Sequence, residues 1–335
     1  AATYYRGIIR ALADRGHQVT FYEPDAYDRQ EHRDIPDPPW AEVVVYANAE
    51  DAALAALEAA RGSDIVVKCS GVGVFDELLE REVLGLQNGR TSAIYWDVDA
   101  PATLDRIGAD ESDPFRACIP QYDLILTYGG GDPVVDGYSA WGARQVEPIY
   151  NALDPLTHHP VACDDRFSGD LGFLGNRLPD REARVEEFFL QPAAALPERR
   201  FLIGGSGWGD KEMPPNVNYL GHVYTRDHNA FNCSPTAVLN INRASMARYG
   251  FSPPTRVFEA AGAGACLITD HWDGIEQFLE PEREVLVVRS GDELAELVDT
   301  LPPERACDIG QAALQRVLGE HTYAHRVERL EALLD

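Results

Sequence analysis

The sequence predicts an α/β protein built from two parallel-sheet domains. Three observations lead there. Short apolar, β-rich runs alternate with longer helical patterns along all 335 residues, the signature of parallel sheets wrapped in helices. The alternation breaks once, over residues 150–168, where YNALDPLTHHPVACDDRFS shows no periodicity and carries two prolines. It then restarts with its own set of strands. A chain of this length fits two domains better than one.

In the first half, residues 1–13 read as the interior of a helix with no strand ahead of it, an α/β pattern entered after its first strand and turn. Strands are predicted at 18–22, 42–46, 64–69, 93–96, 123–128 and 145–149, with helices between several of them, for example at 51–60 and 75–84. The stretch 150–168 reads as an interdomain linker. The second half offers strands at 171–174, 200–203, 217–220, 237–241, 265–269 and 285–288. Helices are expected at 180–196, 255–261 and 292–301, and two more, 303–318 and 322–334, close the chain. The domains are therefore placed at 1–160 and 161–318, with a terminal helix in 319–335. Two such Rossmann-like halves place ligands at the C-terminal ends of their strands.

Composition narrows the partners. Apolar residues make up 45% of the chain, enough for real cores, and the formal charge is −26. That charge opposes nucleic acid or an anionic membrane as a bulk partner. No apolar run approaches the ~18–20 residues of a membrane span, and no basic-then-apolar leader opens the sequence. The six cysteines stand singly, without CxxC or zinc-type spacing. They read as buried free thiols of a reducing, cytoplasmic compartment.

The most informative segment lies between residues 239 and 288. Pro253 and Pro254 precede Thr255 and set up a helix start, where free amides and the helix dipole favour an anion. Glu259 follows four residues later on nearly the same face, and reads either as an acceptor for both hydroxyls of a ribose or as an ordinary exposed helix residue. Arg243 and Arg256 flank this candidate diphosphate site. Asp273-Gly274-Ile275 is expected to open a further helix toward it. Gly204-Gly205-Ser206-Gly207 after strand 200–203 reads either as a phosphate nest or as a plain strand-exit turn. Asp97 and Asp99, at the end of strand 93–96, either deprotonate an acceptor hydroxyl or hold a sugar, or cap the turn before Pro101. His17 and His222 read as structural.

The run R-V-F-E-A-A-G-A-G-A-C-L-I-T-D with the following D-G-I-E-Q-F resembles the donor half of the group 1, family 4-like glycosyltransferases, and most closely the CgeB-like subfamily named for a spore maturation protein. Further matches come in the same order: Thr3-Tyr4-Tyr5-Arg6-Gly7, Arg15-Gly16-His17-Gln18-Val19, Tyr95-Trp96-Asp97-Val98-Asp99-Ala100-Pro101-Ala102-Thr103, Tyr128-Gly129-Gly130-Gly131 and Thr322-Tyr323-Ala324-His325-Arg326. The resemblance implies a GT-B fold in which the last helix crosses back to the first domain. It implies a nucleotide-diphosphate sugar as donor, with Glu259, Arg256, Arg243, Thr255, Gly205, Ser206, Asp273, Gly274 and Ile275 on its side. The acceptor, a glycan, a protein or a small molecule, stays open. No metal or other cofactor is expected. One departure stands out: the family's Glu–seven residues–Glu pattern would place its first carboxylate at position 251, which is Phe251. Two other classes remain open on the sequence: a non-catalytic GT-B-like binding module, and a nicotinamide-dependent oxidoreductase, for which no G-x-G-x-x-G is visible.

Overall fold

The computed structural model describes residues 2–27, 30, 31, 36–71 and 73–334. The chain divides into two compact units: Ala1–Tyr150 with Arg326–Asp335, and Asn151–His325.

Among its described residues, the first unit carries six strands: β1 (Thr20–Asp25), β2 (Glu42–Ala47), β3 (Ile65–Cys69), β4 (Ser92–Asp97), β5 (Leu124–Thr127) and β6 (Val146–Pro148). β1 and β2 pair in parallel as a two-stranded sheet, and the others form a parallel sheet ordered β3-β4-β5-β6. Ala93, Ile94, Tyr95 and Trp96 of β4 and Leu124, Ile125 and Leu126 of β5 are all buried. Successive residues of a strand point to opposite faces, so an unbroken buried run means both faces are covered. Tyr95, Phe115, Tyr122 and Tyr138 build the core on one of them.

The second unit holds β7 (Leu171–Leu174), β8 (Phe201–Gly204), β9 (Val217–Tyr219), β10 (Ala237–Asn240), β11 (Leu267–Asp270) and β12 (Leu286–Val288). They form one parallel sheet ordered β12-β11-β10-β7-β8-β9. β7 comes first in the chain, β8 leaves to one side and β10 to the other, so the strand order reverses between β7 and β10. Phe173, Phe189, Phe201 and Trp208 anchor its core.

The expected helix at 180–196 is broken into Pro179–Val185, a π-helical turn Glu186–Leu190, and Gln191–Ala195. Pro192 explains the interruption. It has no N–H to give an α-helical bond, and its ring crowds the carbonyl four residues back. The segment 151–168, expected to link the domains, belongs to the second unit. There Leu153 bridges Thr322 and the Asp164 amide donates to Ser234 Oγ at 2.8 Å. The closing helix, Tyr323–Leu334, starts in the second unit and ends in the first. Arg15 pairs with Glu331, and Arg329 with Glu147. Among the described residues, no helix is long and apolar enough to cross a membrane.

Candidate functional site

The reversal of strand order puts the ends of β7 and β10 side by side, and four arginines gather near them. Arg256, in the first turn of the helix Thr255–Gly262, donates from Nη2 to the Leu174 carbonyl that ends β7 (3.0 Å) and from Nη1 to Asn232 Oδ1 (3.2 Å). Its ion pair with Glu259, one turn on, spans 3.7 Å. Burial pushes the Arg256 pKa down, and the Glu259 charge opposes that shift. Glu259 is thus held by Arg256, a cation that the sequence placed only as flanking the diphosphate site.

Arg181 and Arg184 are the members that the sequence reading missed. They lie three residues apart on the helix Pro179–Val185 just after β7, the R-x-x-R of L-P-D-R-E-A-R being the signal available. Arg181 sits 5.6 Å from the Phe173 ring centroid and donates to the Asn176 carbonyl (2.6 Å). Burial depresses its pKa most, and Asp180, Arg243, Arg256 and Asp270 are near enough to act on it. Arg184 pairs with Asp270 at the end of β11, a fully buried carboxylate that also accepts from the Asn242 amide at 3.1 Å. Burial raises the Asp270 pKa, against the pull of Arg184. Arg243 is half exposed and bonds Asp180 through Nε at 2.6 Å. Arg181 Nε, Arg184 Nε, Asn232 Nδ2 and Asn242 Oδ1 are buried without a hydrogen-bond partner. Three of those four are donors, an arrangement that suits an acceptor-rich ligand.

Two histidines flank the Arg256–Glu259 pair; the H-H at 158–159 is the only local signal for one of them, and the other has none. His158 and His228 rings lie 6.3 Å apart, centroid to centroid. Burial holds both pKa values below the usual histidine range, Arg256 pushing in the same direction and Glu259 in the opposite one.

Several expected parts of the site turn out differently. The Gly205 amide donates to the Gly221 carbonyl (2.8 Å) and the Ser206 amide to Asn176 Oδ1 (2.9 Å). Both donors are engaged, so this turn is a packed strand exit and not an open phosphate nest. Gly205, at φ +121°, meets the Gly175 carbonyl so closely that a Cβ would clash with it. Asp273-Gly274-Ile275 leads only into the three-residue 3₁₀ turn Ile275–Gln277, too short for a useful dipole. Its role is packing: the Phe251 amide donates to the Asp273 carbonyl (2.6 Å), and the Phe251 ring covers the α-carbon of Gly274. Phe251 itself is left-handed, at φ +48°. Thr255 opens its helix after an extended Pro254, with no side-chain cap.

In the first unit, Asp97 ends β4 fully buried. Its Oδ1 accepts from Ser70 Oγ (2.7 Å) and the Asp99 amide (3.0 Å), and its Oδ2 from the Tyr138 hydroxyl. Ser70 Oγ in turn accepts from the Val98 amide at 2.8 Å. Three donors converge on this carboxylate, which therefore holds the turn rather than facing an acceptor as base. Asp99 is exposed at the start of the helix Ala100–Ala109, and its side chain makes no cap. Among the described residues, no group of three or more His, Cys, Asp or Glu side chains is placed to hold a metal ion.

Residues 181–332 match a family described as glycosyl transferase-like. Sucrose-phosphate synthase from Thermosynechococcus elongatus superposes with a TM-score of 0.72 at 13% identity, over 99% of this chain and 92% of that one. Anabaena HepE in complex with UDP and glucose gives 0.65 at 12%, over 95% and 99%. The lipopolysaccharide outer core galactosyltransferase WaaB gives 0.61 at 14%, over 99% and 94%. No curated protein matches the chain. The chain thus has the GT-B fold, two Rossmann-like domains with parallel sheets, and residues 181–332 are similar to a glycosyl transferase-like family.

Proposed function

We propose that this protein is a glycosyltransferase that takes a sugar from a nucleoside-diphosphate donor bound at the ends of β7 and β10. The observation that carries the reading is the convergence of Arg181, Arg184, Arg243 and Arg256 there, in a chain whose net charge is −26. Guanidinium groups match phosphate oxygens in geometry and charge. Glu259, paired with Arg256, takes the ribose hydroxyls in this reading. A GT-B neighbour, HepE, was solved with UDP and glucose, which supports a uridine diphosphate sugar as the first donor to try. The first unit takes the acceptor, with Asp99 as its base. Within the glycosyltransferases we place the chain beside the CgeB-like subfamily, working in the cytoplasm without a metal, since the arginines supply the charge that a cation would.

The test is isothermal titration with UDP, GDP and dTDP, followed by donor hydrolysis with and without EDTA. UDP binding at micromolar Kd and hydrolysis that survives EDTA are expected. No binding of any nucleoside diphosphate overturns the donor site, and activity abolished by EDTA and restored by Mn²⁺ overturns metal independence. Phe251, standing where relatives carry a carboxylate, favours a second reading, a GT-B-like module that binds a nucleotide sugar without turnover. Binding without any hydrolysis or transfer over a wide acceptor panel selects that reading.

A further inference from the structure

Cys163 and Cys233 lie 70 residues apart in the chain, yet Cys163 Sγ sits 3.2 Å from the Cys233 carbonyl oxygen. Cys233 Sγ accepts from the Val161 amide at 3.5 Å and donates to the Ala263 carbonyl at 3.3 Å. The two backbones are fastened together on both sides of the pair. The Asn229 side chain donates to the Thr157 carbonyl (3.0 Å) and accepts from the His159 amide (3.4 Å), while the Asp164 amide donates to Ser234 Oγ (2.8 Å). Segment 157–164 is thus laced along the helix His228–Cys233, with one thiol on each. Cys163 is exposed and Cys233 is half-buried.

We propose that Cys163 and Cys233 are a reversible thiol–disulfide site whose oxidant is a low-molecular-weight disulfide. The exposed Cys163 thiolate attacks a sulfur of the small disulfide, which releases one small thiolate and leaves a mixed disulfide on Cys163. The Cys233 thiolate then attacks the Cys163 sulfur and releases the second small thiolate. The protons lost by the two cysteines end on the two small thiols, so one disulfide is reduced for each one formed. Burial pushes the Cys233 thiol up, so the second step speeds up with rising pH. The product ties the segment that follows Tyr150 to the helix beside Arg256, closes a long loop and stabilises the unit. It acts on neither the donor nor the acceptor chemistry, so it stands whether or not the glycosyltransferase reading does.

The full chain carrying Cys307→Ser, which removes the other exposed thiol, is incubated with oxidised glutathione and digested with trypsin without reductant. Peptides 145–166 and 227–243 are expected as one cross-linked species in most chains. The oxidised protein should melt higher than the reduced one, and dithiothreitol should reverse both effects. Cys163→Ser in the same background should abolish the cross-link and the melting shift, while its reduced form melts like the parent. A stable glutathione adduct on Cys163 with no cross-link, even at pH 8.5, overturns the proposal. So does a cross-linked peptide that includes Cys69, Cys118 or Cys266 instead.

Discussion

Glu80 is only 5% exposed, on the helix Asp76–Glu82, with the Tyr95 hydroxyl 3.4 Å from Oε1. Burial pushes its pKa up from 4.5 to about 7, although Lys68 and Arg106 pull it down. Between those two values the folded chain binds the proton and the unfolded chain does not. The stabilisation is complete below about 4.5 and is lost as pH rises through about 7, at most about 3 kcal/mol for this group. Glu80→Gln should therefore melt above the parent at pH 8 and level with it at pH 4.5, by calorimetry across that range. Asp97 and Asp99 separate along the same logic. Asp97→Asn disturbs three buried hydrogen bonds and should cost about 1–3 kcal/mol. Asp99→Asn should leave the melting temperature alone and lower transfer by about 10²-fold. At the donor site, Glu259→Ala should weaken UDP binding at least tenfold, given about 1.5–3 kcal/mol for each bond to a charged group. An unchanged Kd by titration removes Glu259 from the site.

At the scale of elements, the ends of β7 and β8 rest on a turn that leaves no room for a side chain. Gly205 lies at φ +121° against the Gly175 carbonyl, where β7 and β8 end. Gly205→Ala meets an unyielding backbone and an unfavourable φ together, which should cost about 2–6 kcal/mol by urea denaturation, from about 1–3 for each term. Gly16→Ala is the control, since it shares a positive φ but has no neighbour within 4 Å; it should cost about 1 kcal/mol. The turn chemistry of Gly204-Gly205-Ser206-Gly207 was legible in the sequence as two alternatives. Only the positions of the Gly221 carbonyl and Asn176 Oδ1 decide that its amides are taken. The same holds for Asp273-Gly274-Ile275, whose glycine signalled a turn but not that Phe251 would cover it.

For the whole molecule, charge governs. The net −26 includes only two lysines, Lys68 and Lys211, and both lie in ion pairs, with Asp76 and with Glu182 and Glu186. Excess carboxylates repel one another across the folded surface, and salt shortens the reach of that repulsion from about 8 Å at 0.15 M to about 3 Å at 1 M. The melting temperature should rise steadily between 0.05 and 1 M KCl. A flat or falling curve would mean that attractive surface pairs outweigh the net repulsion.

The order of strands and helices, the two-fold restart and the Thr255–Glu259 segment were written in the sequence, because periodicity and turn residues act over a few neighbouring positions. Arg256 and Glu259 could both be named for the nucleotide for the same reason, standing one turn apart on one helix. Arg181 and Arg184 could not be joined to them: what brings residues 181, 184, 243, 256 and 270 together is the reversal of strand order between β7 and β10. That reversal follows from which strand edges pair, a choice made by packing between segments some 66 residues apart, Leu171 opposite Ala237. The burial of Asp97 under Tyr138, and the meeting of Cys163 with Cys233, are decided by that same long-range packing and have no local signature.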